Sequence, residues 1–176
     1  MAGKTGRQDM SRITTRAIVA LVLAVGIIAA AAGTWAQQGR DDGFSGLARV
    51  EPAGAQLTDA GDGLRLELAL SLGVPWRAYT LTEPARLVLD FREVDWTGLD
   101  EAVMLNADNA DAVRFGGFRP GWSRMVVDLA GPMAIDSAAM RVDPETGAAR
   151  LQARLRPVDA ETFAARSGAP RDPRWD

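Results

Sequence analysis

Arg114-Phe-Gly-Gly-Phe-Arg-Pro-Gly-Trp-Ser-Arg-Met-Val-Val-Asp-Leu129 reads as a strand, a tight turn and a second strand. Proline fixes φ and glycine tolerates positive φ, so Pro120-Gly121 suits the two central positions of a type II turn. The second half, Ser123-Arg-Met-Val-Val-Asp-Leu129, repeats the pattern of Ala85-Arg-Leu-Val-Leu-Asp-Phe91, 38 residues upstream. Each copy has a small residue and an arginine, then three apolar residues, an aspartate and a large apolar residue. Strand alternation puts Leu87, Leu89 and Phe91 on one face, with Met125, Val127 and Leu129 as their counterparts, and turns each arginine and aspartate the other way. Two equivalent strands in one small domain predict a pseudo-symmetric all-β unit.

Further strands lie on either side. Leu64, Leu66, Leu68, Leu70 and Leu72 alternate with Arg65, Glu67, Ala69 and Ser71 in a strict period of two, which Pro75 breaks. Leu47–Val50 reads as a first short strand, Asp59–Gly63 as a turn, and Trp76–Leu81 as a strand entering Arg86–Phe91 through Glu83-Pro84. Met133–Val142 and Ala149–Leu155 form a last pair around Asp143–Gly147, with Leu151, Ala153 and Leu155 inward and Arg150, Gln152, Arg154 and Arg156 outward. Residues 95–112 are irregular, with room for a helical turn. Asp159 caps a short helix through Arg166, which Ser167-Gly168 stops. The expected fold class is all-β, a small pseudo-symmetric β-sandwich of seven to eight short strands followed by a short helix and linker.

The N-terminus reads as an export signal. Lys4, Arg7, Arg12 and Arg16 stand against one acid, Asp9, before the uncharged apolar run from Ala17 to Gly33. Thr34-Trp-Ala36 places small residues where a signal peptidase reads, so residues 1–36 are expected to be a signal peptide cleaved after Ala36. The alternative is an uncleaved anchor, for which seventeen apolar residues are barely long enough. Residues 37–46 are polar and glycine-rich, a flexible leader, and residues 157–176 carry the short helix and a proline-containing linker toward a missing or absent downstream domain.

Charge and composition exclude several functions. Residues 1–36 hold four of the 20 basic residues and one of the 23 acids, leaving 16 basic against 22 acidic, net −6. That sign excludes a nucleic-acid-binding patch and a basic membrane-surface helix, so a membrane would be met only through an uncleaved signal segment. With no His and no Cys, neither a Ser-His-Asp triad nor a Cys-His pair can be built, and catalytic zinc lacks its usual ligands. Asp90, Glu93 and Asp95, or Asp108 and Asp111, could supply a carboxylate pair, but charged residues of this kind are ordinarily strand-edge and loop residues. The loops 59–63 and 106–111 lack the spacing of the twelve-residue calcium loop. No catalytic residues, metal site or cofactor are expected in this chain.

The quoted stretch also resembles a known family. Val113 to Arg124 carries Val-Arg-x-Gly-x-Phe-x-Pro-Gly-x-Ser-Arg, the signature of the AMIN domain, with Phe115 and Gly116-Gly117 offering two registers. The resemblance runs from Leu47 to Arg156 and is strongest over Arg86–Phe91 and Val113–Leu129. AMIN domains precede the catalytic domain of many N-acetylmuramoyl-L-alanine amidases and occur in some secretins. The resemblance therefore implies a periplasmic, non-catalytic, peptidoglycan-binding domain that targets a hydrolase to the division site. Peptidoglycan, an amidase catalytic domain and envelope division proteins would be its partners, and zinc would belong only to a downstream amidase domain. The alternative is a protein-docking module of a pilus or secretion secretin, using an exposed sheet edge.

For wall binding, the candidate contacts are Arg119 and Trp122 on the turn, with Arg114, Arg124 and Arg86 on outward faces. An indole offers a flat apolar face to a sugar ring, and arginine grips the carboxylates of a muramyl peptide. Against this stand strand-end packing for Trp122 and cross-strand pairing with Asp90 or Asp128 for the arginines. Trp76 and Trp96 are expected in the core.

Overall fold

The computed structural model describes residues 48–171. The expected signal peptide, the cleavage site at Ala36, the leader 37–46 and the end of the linker lie outside the described residues.

Among the described residues ten strands form two sheets. The first strands are β1 (Ala48–Ala60), β2 (Gly63–Leu70), β3 (Trp76–Leu81), β4 (Arg86–Arg92) and β5 (Val94–Asp95). They are followed by helix α1 (Glu101–Met104), then β6 (Leu105–Asn106), β7 (Ala110–Arg119) and β8 (Trp122–Leu129). The chain ends with β9 (Met133–Val142), β10 (Ala149–Pro157) and helix α2 (Ala160–Arg166). One sheet runs β5-β1-β2-β10-β9, with β6 also on β1; the other runs β3-β4-β8-β7. Eight strands have six or more residues, and the remaining two, β5 and β6, are two-residue bridges that pair parallel with the two ends of β1.

The inward residues follow the sequence periods. Leu64, Leu66, Leu68 and Leu70 of β2 meet Leu87, Leu89 and Phe91 of β4, Met125, Val127 and Leu129 of β8, and Leu151, Ala153 and Leu155 of β10 in one buried cluster. Burying aliphatic side chains from both inner faces is what holds two sheets together. Gly63 starts β2 because nothing larger fits: a Cβ there would lie 2.1 Å from the carbonyl oxygen of Leu155. Backbone cannot swing aside as a side-chain tip can. Gly63→Ala is therefore expected to cost about 3 kcal/mol, the upper part of the overpacking range, read as a lowered urea midpoint.

β7 starts at Ala110 and β10 runs on to Pro157, and three further elements differ more from the sequence reading. β1 extends to Ala60, because residues 52–55 leave the ladder as a bulge between Glu51↔Ala69 and Gln56↔Glu67 and the strand resumes beyond. That bulge carries the Pro52 and Gly54 that disguise the strand. β2 stops at Leu70, and Leu72 is exposed. Ser71 is instead tied to Arg49 by backbone and side chain, and Gly73 donates to Gly147, as the chain turns toward the other sheet. The C-terminal helix is docked: Phe163 is buried, Gly168 N–H donates to the Thr80 carbonyl, and the Ser167 and Thr80 hydroxyls lie 3.0 Å apart. Asp159 caps it as expected, accepting from Thr162 N–H. No described helix is long and apolar enough to cross a membrane.

The repeat explains the centre of the four-stranded sheet. β4 and β8 pair antiparallel about Val88↔Val126, with Asp90↔Arg124 and Arg86↔Asp128 on either side. An arginine four residues before an aspartate is complementary to a reversed copy of itself, so the two copies meet about a local twofold axis.

Candidate functional site

All five candidate residues lie on the outer face of the four-stranded sheet: Arg86 on β4, Arg114 and Arg119 on β7, Trp122 and Arg124 on β8. Their surroundings differ. Arg124 Nε donates to Asp90 Oδ1 at 2.6 Å and its Nη2 to Oδ2 at 3.2 Å, and Arg77 Nε donates to Oδ2 at 2.9 Å. Tyr79 Oη completes the cluster, accepting from Arg124 Nη2 and donating to Asp90. Asp90 is only 1% exposed. Burial works to raise its pKa, but the hydrogen bonds and charges of Arg124 and Arg77 prevail and hold it below the ordinary carboxylate range. Burial, helped by the Asp90 charge, pushes the Tyr79 hydroxyl up.

The twofold pairing is broken at its other end. Arg114 Nη2 donates to Asp128 Oδ1 at 2.9 Å, while Arg86, opposite Asp128 in register, donates from Nε to the Pro84 carbonyl. The arginine–aspartate pairings expected as the plain alternative to ligand contact are thus present for Arg124 and Arg114. The Arg124 guanidinium also lies 3.5 Å from the centroid of Phe118, which is 47% exposed.

Of the two places weighed for Trp122, an exposed platform and strand-end packing, the structure shows the packed one: the residue is 7% exposed. The guanidinium of Arg92 sits 4.3 Å from its ring centroid and that of Arg119 4.6 Å, a double cation–π arrangement. The cause is register: Arg92 and Arg119 both lie directly opposite Trp122, on the two strands flanking β8. Gly121, at φ +73°, makes the two-residue turn that brings Arg119 there.

Four participants escaped sequence reasoning: Arg77, Tyr79, Arg92 and Phe118. Alternation puts Arg77 and Tyr79 on one face of β3, but only the register Arg77↔Asp90 reveals the clamp. Asp59 and Asp95 have structural roles. Asp59 accepts from the Asp108 and Asn109 backbone N–H groups and from Asn109 Nδ2, so the two loops weighed as calcium sites bind each other instead. The Asp108 N–H contributes most to holding the Asp59 carboxyl low, against an opposing effect of burial, with the Asn109 bonds adding to it. Asp95 is engaged by the hydroxyl and backbone N–H of Thr97. Among the described residues no three potential ligands come together as a metal site. Trp96 is buried in the core and Trp76 packs against it.

The described residues form a two-sheet domain whose outer face is laced with arginine, carboxylate and aromatic contacts. The chain belongs to the AMIN domain family, which it matches over residues 54–155. It is accordingly a non-catalytic envelope-targeting module. No curated protein matches it closely enough to stand as a relative.

Proposed function

We propose that this domain binds peptidoglycan in the periplasm and targets a cell-wall N-acetylmuramoyl-L-alanine amidase, of which it forms part of the N-terminal region, to the division septum. A signal peptide cleaved after Ala36 would export it, and zinc would reside in the amidase's catalytic domain. The family match over 54–155 carries this reading. The site is the outer face around the β7–β8 turn, where Arg119 and Trp122 meet, with Arg86, Arg114 and Arg124 beside them. Guanidinium groups there are placed to meet muramyl-peptide carboxylates, with the exposed ring of Phe118 adjacent for a sugar.

The test is co-sedimentation of the full chain, kept soluble in mild detergent, with isolated sacculi. Pelleting should saturate, and Arg119→Ala should weaken it about tenfold or more, on the scale of arginine anchors in interfaces. Trp122→Ala should act in the same direction, scored only in protein with an unchanged circular dichroism spectrum. A folded chain that stays in the supernatant defeats wall recognition.

The secretin-type docking reading keeps one specific support: β9 ends its sheet, and among the described residues its outer edge pairs with no further strand.

A further inference from the structure

The outer face of the six-stranded sheet takes no part in the wall-binding site. Its floor is made of small residues, Ala69 on β2 and Ala139 on β9, and the bulge of β1 raises Ala53 and Gly54 as a wall. The result is a groove of about 720 Å³. Gly54 presses so closely that a Cβ on it would meet the Ala69 Cβ at 2.5 Å.

Arginines stand on this face in two rungs, the first of which, Arg141 with Arg150, lines the groove, while the second lies beyond its end. Arg150 of β10 stands opposite Arg141 of β9, and Arg154 of β10 stands opposite Arg65 of β2. Four residues of strand separate the rungs, about 13 Å. The ion pairs of the described residues involve none of these four arginines, and Arg65 Nε is buried without a hydrogen-bond partner. This differs from the opposite sheet, where Asp90 and Asp128 engage Arg77, Arg124 and Arg114. Beside the Asp136–Arg156 ion pair the face holds three acids: Glu51 on β1, Glu67, which accepts from Gln152 Nε2, and Asp143, which accepts from the Glu145 and Thr146 backbone N–H groups of its own turn, so the four rung arginines outnumber them by one. A positive surplus here runs against a chain of net charge −3.

The free edge of β9 lies alongside. Its outward residues opposite Arg154 and Gln152, Ser137 and Ala139, are small and exposed, so nothing bulky separates Arg154 from that edge, and Arg141, opposite Arg150, stands on the edge strand itself. A strand added to β9 would carry alternate side chains onto the groove face beside Arg141. No aromatic ring lines the groove, which removes the usual platform for a sugar chain.

We infer that this face is a docking site for an extended acidic segment of a partner protein, which adds to β9 as a further strand and sets carboxylates four residues apart against the arginine rungs. Backbone pairing gives the segment its direction and register, and bidentate arginine–carboxylate contacts give it its sign.

The experiment uses the full chain and a fluorescein-labelled peptide of repeated Glu-Thr-Val-Thr units, which in extended form presents a glutamate at every fourth position on one face. Fluorescence anisotropy should report binding that weakens with added salt, and Arg141→Ser with Arg150→Ser should weaken it about tenfold or more. A peptide with lysine for glutamate should not bind. Hydrogen exchange at the amides from Ser137 to Val142 should slow when the acidic peptide is present. Absence of binding, or binding indifferent to the arginine changes, overturns the inference. So does arginine-dependent binding that leaves the β9 amides exchanging as before, because no strand has then been added. If the same double variant abolishes pelleting with sacculi while Arg119→Ala does not, the groove serves the wall and the protein partner is refuted.

Discussion

Asp90→Ala is expected to lower the unfolding free energy by about 3–5 kcal/mol, the cost of breaking a buried ion pair from one side. Three groups depend on that carboxylate, Arg77, Arg124 and the Tyr79 hydroxyl, and without it two guanidinium groups would crowd a desolvated spot between β3 and β8. Asp90→Asn should recover part of the loss, since the amide keeps one acceptor oxygen but not the charge. The pH dependence carries a definite sign. The folded carboxyl binds its proton less readily than the unfolded one, because Arg124 and Arg77 outweigh the burial that would raise it. Its contribution is complete above the unfolded value of about 3.9 and drains away as pH falls through the depressed folded value. Urea denaturation at neutral and strongly acidic pH checks this: the gap between parent and Asp90→Asn should narrow in acid. An equal gap at both pH values would mean the cluster is held by shape rather than by charge.

Phe91→Ala is expected to cost about 3–5 kcal/mol, and to do so independently of pH. The ring is fully buried between the sheets, and Trp96 meets it edge-on at 5.6 Å between centroids. Trp96 in turn lies 5.3 Å from Phe115, so one aromatic chain joins β4, the segment after β5, and β7. Removing the first ring leaves a cavity that strands on two sides are too constrained to close. Thermal denaturation of Phe91→Ala, Trp96→Ala and the double variant should give a double-variant loss that differs from the sum of the single losses, since residues in contact are coupled. Strict additivity would show that the rings fill space separately.

The strands that the sequence disclosed are those whose side chains repeat with a period long enough to be counted. β3 and β9 emerged at their expected bounds, and β10 at its expected start but two residues longer, because alternation and turn residues agree there. β1 hid its length because Pro52 and Gly54 lie in residues that leave the ladder while the flanking residues stay paired. β5 and β6 are too short to have a period at all. The candidate face divides along the same line. Outward placement of Arg86, Arg114 and Arg124 follows from alternation alone, and the partnership of Arg124 with Asp90 is implicit in the repeat. The covering of Trp122 by Arg92, 30 residues earlier, is a matter of register between strands, which no local pattern encodes.

The repeated Arg-to-Asp pattern has a consequence for how the molecule behaves in company. A strand complementary to its own reversed copy will accept that copy from any chain, including a neighbouring molecule, and exposed strands of this kind seed association. In the four-stranded sheet, β4 and β8 occupy the two interior positions, with β3 and β7 outside them. Each copy is thus consumed by the other, and both remaining sides are occupied by strands of different sequence. The folded domain keeps its most self-adhesive segments out of reach of other molecules, and only a chain that has not yet closed β3 and β7 over them presents them to a second copy of itself.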